Sequence, residues 1–149
     1  MCLYATTEEP KVMEEDKHVF KALLMDDNQG LHPPFMTKSG LTYKLDIMYR
    51  EVRFGVDRNN PYYSPLEKVY PVGRGFYSYT DLSCVMTAIT MRGKIGCRYA
   101  ICECLIPKGT RYYESEFGGY ALCSEYIKVL NIIGYYDVFN NKESSAENG

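Results

Sequence analysis

The chain has 149 residues, 46% of them hydrophobic, with a net charge of −2 and a pI of about 5.7. That is enough length and apolar content for one globular domain with its own core. The 17 basic residues are scattered among 19 acidic ones, which argues against a general DNA or RNA binder but leaves room for a small anionic ligand.

Residues 1–17 read as an acidic N-terminal arm. The start "MCLYATTEEPKVMEEDKH" lacks the basic and apolar regions of a secretory signal. No run of eighteen apolar residues occurs, so nothing is expected to span a membrane. A cytoplasmic setting follows, with the six cysteines reduced.

His18 to Met25 reads as an apolar strand, interrupted by Lys21. A weaker strand is expected around Leu41 to Ile47 and another over Glu51 to Val56. Val69 to Val72 and Gly75 to Tyr79 read as extended, with Gly73 and Gly75 allowing a bend between them. Thr80 is a candidate N-cap with Asp81 in the first turn. Leu82, Val85, Met86 and Ile89 then recur at helical spacing until Gly93. This places the main helix at about 81–92.

"CRYAICECLI" is a strand whose alternation puts Ala100, Cys102, Cys104 and Ile106 on one face and Tyr99, Ile101, Glu103 and Leu105 on the other. Pro107-Lys108-Gly109 turns the chain into an extended "TRYYE". A further strand is expected from Tyr126 to Ile133, and a last short one in "GYYDVF". Residues 140–149 are polar and read as a disordered tail. The predicted architecture is α+β. It is a single domain over 18–139, a mostly antiparallel twisted sheet of about six or seven short strands with one main helix.

The cysteines do not form a metal pattern. Alternation separates Cys97 from Cys102, and Cys102 and Cys104 form a C-x-C without a second pair nearby. Neither a metal nor a cofactor is expected, and the cysteine strand reads as core. Cys2 is a different case. Removal of Met1 would give it a free amine, the arrangement of an N-terminal nucleophile. Its competing reading is simple packing beside Leu3 and Tyr4. His18 and His32 read as strand-edge and loop residues.

The candidate ligand set is Lys21, Arg74, Tyr77, Ser78, Tyr79, Lys108, Arg111 and Tyr113. In it arginines and lysines near glycine turns would take phosphates and tyrosine faces would stack bases. Glu114 and Glu125 join Cys2 as candidate catalytic groups should the chain be an enzyme.

The start "MCLY", the acidic arm before "HVFKALL", and the stretches "GFYSYTDLSCVMTAI" and "CECLIPKGTRYYESEFGGYALCSEYIKVL" together resemble a family of small bacteriophage and prophage proteins. That family shows a Met-Cys-Leu start, a Gly-Phe-(His)-Ser element before a helix, and a strand ending Ile-Pro-Lys-Gly before Tyr-Tyr-Glu. Tyr77 stands at the histidine position. A looser likeness is to ADP-ribosyltransferase-like folds, whose basic, serine and glutamate positions are matched in order by Lys21, Ser78 and Glu125. It implies a nucleotide-shaped pocket.

The acidic pI, the small single domain and the phage resemblance together point to an accessory, counter-defence binding protein of the bacterial host cytoplasm. Such a protein sequesters a host molecule, either a small nucleotide-type immune signal or a host defence protein. The alternatives are a small enzyme, with a Cys2 nucleophile or a nucleotide-cleaving chemistry, and a virion or assembly protein that forms homo-oligomers.

Overall fold

The computed structural model describes residues 3–33, 41–115 and 120–139. Cys2, Glu116 and the tail 140–149 therefore lie outside the described residues. In chain order the elements are β1 (Leu3–Ala5), β2 (Lys11–Val12), β3 (Lys17–Met25), β4 (Leu31–His32), β5 (Met48–Arg50) and β6 (Gly55–Val56). They continue with β7 (Tyr70–Arg74), β8 (Phe76–Tyr79), α1 (Leu82–Arg92), β9 (Arg98–Ile106), β10 (Arg111–Glu114), β11 (Ala121–Ser124) and β12 (Tyr126–Asp137).

Strand accounts for 49% of the structure and helix for 9%, so the fold is mostly β and the α+β expectation of six or seven strands is corrected. The reason is physical. β2, β4, β5 and β6 are two or three residues long, too short to carry a period of two along the sequence. The expected strand over 41–47 is reduced to one bridge, Leu31 to Tyr43, and of the expected strand over 51–56 only Gly55–Val56 (β6) is strand, after a turn that follows β5. The expected arm contributes β1 and β2, with Leu3, Ala5 and Met13 buried.

Both sheets are antiparallel. The smaller has the order β1-β7-β6, and the larger runs β2-β10-β11-β8-β3-β9-β12-β5, with β4 on β3. β9 lies at the centre of the larger sheet, in register with β3 from Lys17↔Ile106 to Met25↔Arg98 and with β12 from Lys128↔Leu105 to Asp137↔Arg98. Two bulges, between Val129 and Asn131 and between Ile132 and Gly134, bend β12 along this pairing.

The faces divide as the alternation of "CRYAICECLI" requires. Ala100, Cys102, Cys104 and Ile106 join Val19, Leu23, Leu122, Ile127 and Val129 in the main core. Tyr99 and Ile101 pack with Ala22 against Val85 and Ile89 of α1. Each of those two fully buried helix side chains contributes about 1.5–3 kcal/mol of apolar burial. The N-cap is Asp81, one residue beyond the expected Thr80, and its carboxylate accepts from Ser83 N at 3.0 Å. Gly93 ends the helix, its N–H donating to Ile89 O at 2.7 Å. Among the described residues no helix is long and apolar enough to cross a membrane.

A third cluster (Leu3, Ala5, Val72, Tyr113 and Cys123) joins the small sheet to β10 and β11. The chain passes between the sheets at Gly75, where β7 ends and β8 begins. A Cβ there would lie 2.3 Å from Cys123 Sγ and 3.1 Å from the Phe54 ring. Gly75→Ala should therefore destabilise the fold by about 1–3 kcal/mol, the range for overpacking a filled core. Urea denaturation checks this, and an unchanged midpoint would mean that the β7–β8 link yields freely.

Candidate functional site

Glu125 occupies the single residue between β11 and β12. Its N–H donates to Arg111 O at 3.0 Å and its carbonyl accepts from Glu51 N at 2.9 Å, so the backbone is pinned on both sides. The side chain is only 7% exposed. Arg111 grips the carboxylate with two bonds, Nε to Oε1 at 3.2 Å and Nη2 to Oε2 at 2.9 Å, and Arg50 adds Nη2 to Oε2 at 3.4 Å. Each guanidinium lies over a ring: Arg111 on Phe54 at 5.6 Å and Arg50 on Tyr126 at 5.4 Å. The Arg111 hydrogen bonds hold Glu125 below the ordinary carboxylate range against the opposing effect of burial. So held, Glu125 is a weak base and a strong anchor.

The anchor fixes a positive rim at this edge of the larger sheet. Arg53 follows two residues after Glu51, and its N–H donates to Glu51 Oε1 at 3.0 Å. Arg74 is in register with Gly55, beside Phe54. Lys128 pairs with Met48 and so shares the face of Arg50, which pairs with Tyr126. Among the described residues the side chains of Arg53, Arg74 and Lys128 have no ion pair.

Lys21 and Ser78 are brought together elsewhere, inside the main core. Continuing the Phe20↔Tyr79 register by one residue sets Lys21 across from Ser78, and on its other side Lys21 pairs with Cys102. Lys21 is 5% exposed and its Nζ donates to the Tyr77 carbonyl. Burial pushes its pKa down, with nearby thiols of Cys104, Cys123 and Cys102 opposing. The same burial raises Cys102 to about 11 and Cys104 to about 12, so these thiols stay protonated. Ser78 is fully buried and its Oγ has no hydrogen-bond partner among the described residues.

The remaining candidates are distributed over other faces. Tyr77 and Tyr113 flank Cys123 in register on the face of the small sheet. The Tyr77 hydroxyl donates to Val72 O and accepts from Leu3 N, and Tyr113 donates to Glu8 O at 2.6 Å. Both tyrosines thus fasten the N-terminal segment, and burial raises Tyr113 to about 12. Tyr79 packs on the helix side. Lys108 stands in the exposed turn before β10, its backbone N–H on Asp16. Glu114 pairs with Lys11 at 3.0 Å. His18 pairs with Glu103 at 2.9 Å, and His32 with Asp26 at 2.6 Å, which raises His32 and lowers Asp26.

Sequence reasoning missed Arg50, Arg53, Phe54, Tyr126 and Lys128. Arg50 meets Glu125 across 75 residues of chain, and no local pattern marks such a pair.

Two outcomes are expected. Because the folded pKa of Lys21 lies below its ordinary 10.5, the unfolded chain binds more protons in the interval between the two values. Stability should therefore climb with pH across that interval. Lys21→Met should stabilise the fold by about 1–3 kcal/mol at neutral pH and flatten that climb. Thermal melts from pH 7 to about 10 read both effects, and a destabilised variant would contradict them. Glu125, also lowered, gives a slope of the same sign in the acid range: its stabilisation is present above the ordinary value of 4.5 and is lost as pH falls through the depressed one. Arg111→Ala should cost about 1–2 kcal/mol, less than a fully buried pair because Arg50 still faces the carboxylate. Acid titrations of both proteins should converge at the lowest pH.

Comparison with known proteins gives no match: no family model fits the chain, and no curated protein or solved structure matches it significantly.

Proposed function

We propose that the protein is a small accessory binding protein that sequesters an anionic molecule of a bacterial host cell, in the cytoplasm, without transforming it. The observation that carries this reading is the positive rim around Glu125. Two guanidiniums are immobilised on one buried carboxylate and stacked on Phe54 and Tyr126, while Arg53, Arg74 and Lys128 stand beside them without ion pairs among the described residues. A pre-ordered guanidinium loses little rotamer freedom when it meets a phosphate or carboxylate, so binding strength comes from charge-assisted bonds already aimed outward. The counter-defence role and the phage setting rest on the resemblance of the "MCLY", "GFYSYTDL" and "IPKGTRYYE" stretches to small phage proteins. A nucleotide immune signal and an acidic segment of a defence protein are both anions of the required kind.

A thermal-shift series with ADP-ribose, cyclic dinucleotides and polyglutamate tests the reading, since an anion that binds only the folded chain raises the melting temperature by mass action. At least one anion should bind and be recovered intact. Arg74→Ala, which removes an unpaired cation and leaves the Glu125 anchor in place, should weaken that binding about tenfold at unchanged intrinsic stability. No shift with any anion, or equal affinity in the variant, would overturn the rim as the binding surface.

A further inference from the structure

β5 is the terminal strand of the larger sheet, and among the described residues only its β12 side is paired. The bond from Glu51 N to Glu125 O marks that residue pair as hydrogen-bonded, so by antiparallel alternation the next hydrogen-bonded pair is Tyr49 with Ile127. Met48 and Arg50 therefore turn their N–H and C=O groups to the open side. Natural sheets blunt such edges with short strands, charged side chains, prolines, bulges or a covering segment. β5 is short and carries the charge of Arg50, yet Met48 on it is 42% exposed and the flanking Ile47 and Val52 are 46% and 77% exposed. On the face of Met48 stand Arg50 and Lys128, and the turn after β5 adds Arg53.

We infer that the open edge of β5 takes an extended acidic polypeptide segment by strand addition, a reading that rests on the anionic-ligand function proposed above and names its partner. The edge supplies main-chain donors and acceptors at Met48 and Arg50, which fix an added strand without regard to its sequence. Specificity comes from the face: a carboxylate on the incoming strand meets Arg50 or Lys128, and an apolar side chain two residues away on that strand lies against Met48. The fitting segment has acidic and apolar residues alternating with filler, so that both stand on one face. A nucleotide would use the guanidiniums and leave the strand edge and Met48 uncovered.

Fluorescence anisotropy with a labelled Ser-Glu-Thr-Val-Thr-Glu-Ser peptide tests this directly. Two versions of that peptide, N-methylated at alternate sets of residues, leave the protein untouched. One should lose binding at least tenfold and the other should keep it, because only one set of N–H groups faces β5. Met48→Pro removes an outward N–H without breaking a β5–β12 bond and should lose binding to the same extent, and Lys128→Glu should lose it through charge. Equal binding of both methylated peptides would overturn strand addition and leave plain charge attraction. Binding of ADP-ribose or a cyclic dinucleotide with none of the peptide would overturn the polypeptide partner while the anionic reading stands. Binding of neither would remove both. A concentration-dependent dimer in light scattering that Met48→Pro dissociates would assign the edge to a second copy and overturn the inference.

Discussion

The fold depends on one constraint: β9 must be buried on both faces while every one of its backbone groups is paired. β3 and β12 meet this by running antiparallel along its full length, and each then needs cover of its own. On one side α1 brings Val85 and Ile89 down on Tyr99 and Ile101. On the other, the larger sheet turns its own residues, among them Leu122, Ile127 and Val129, toward Cys102 and Cys104. The bulges in β12 follow from the same demand, because a flat strand could not track β9 and also meet β5 at its far end.

Lys21 is the exception inside this arrangement. It holds a position between Val19 and Leu23 that the pattern reserves for an apolar side chain, and its Nζ donates to the Tyr77 carbonyl. Its electrostatic neighbours are thiols, of which burial keeps Cys102 and Cys104 neutral. Together with the unpartnered Ser78 Oγ it makes a polar spot in a dry core, where each unmade bond has its full desolvation cost. The sequence presents this lysine as a basic residue on a first strand, which suggests a surface. Its depth comes from the strands on either side, β8 and β9, which lie some 55 and 80 residues further along the chain.

That contrast marks what could be read in advance. β3, α1 and β9 were legible because each is long enough to display its period: an apolar run, a helical stripe, and an alternation with both faces apolar. α1 was expected over 81–92 and runs Leu82–Arg92. The fold class was not legible, because strands of two or three residues such as β2 and β5 carry no pattern and exist only through their partners. Among candidate site residues, Arg111 and Glu125 do converge, although neither residue type nor spacing indicated that they would neutralise one another. Tyr77 and Tyr113 look in sequence like stacking surfaces. In the fold their hydroxyls are taken up by backbone groups of Val72, Leu3 and Glu8.

The same distinction governs charge. A net of −2 spread over scattered residues excludes a broad cationic field, yet it does not decide the potential of any one edge. Several acidic side chains are engaged far from β5: Glu8 with Arg58, Glu114 with Lys11, Asp26 with His32 and Asp137 with Arg98. Around β5, Arg50, Arg53, Arg74, Arg111 and Lys128 outnumber the nearby carboxylates of Asp46, Glu51, Asp57 and the buried Glu125. The acidic chain thus acquires a positive edge by how it pairs its carboxylates, and that edge coincides with the outer side of β5, unpaired among the described residues. Charge that steers an anion and backbone that can fix a strand then act at the same place.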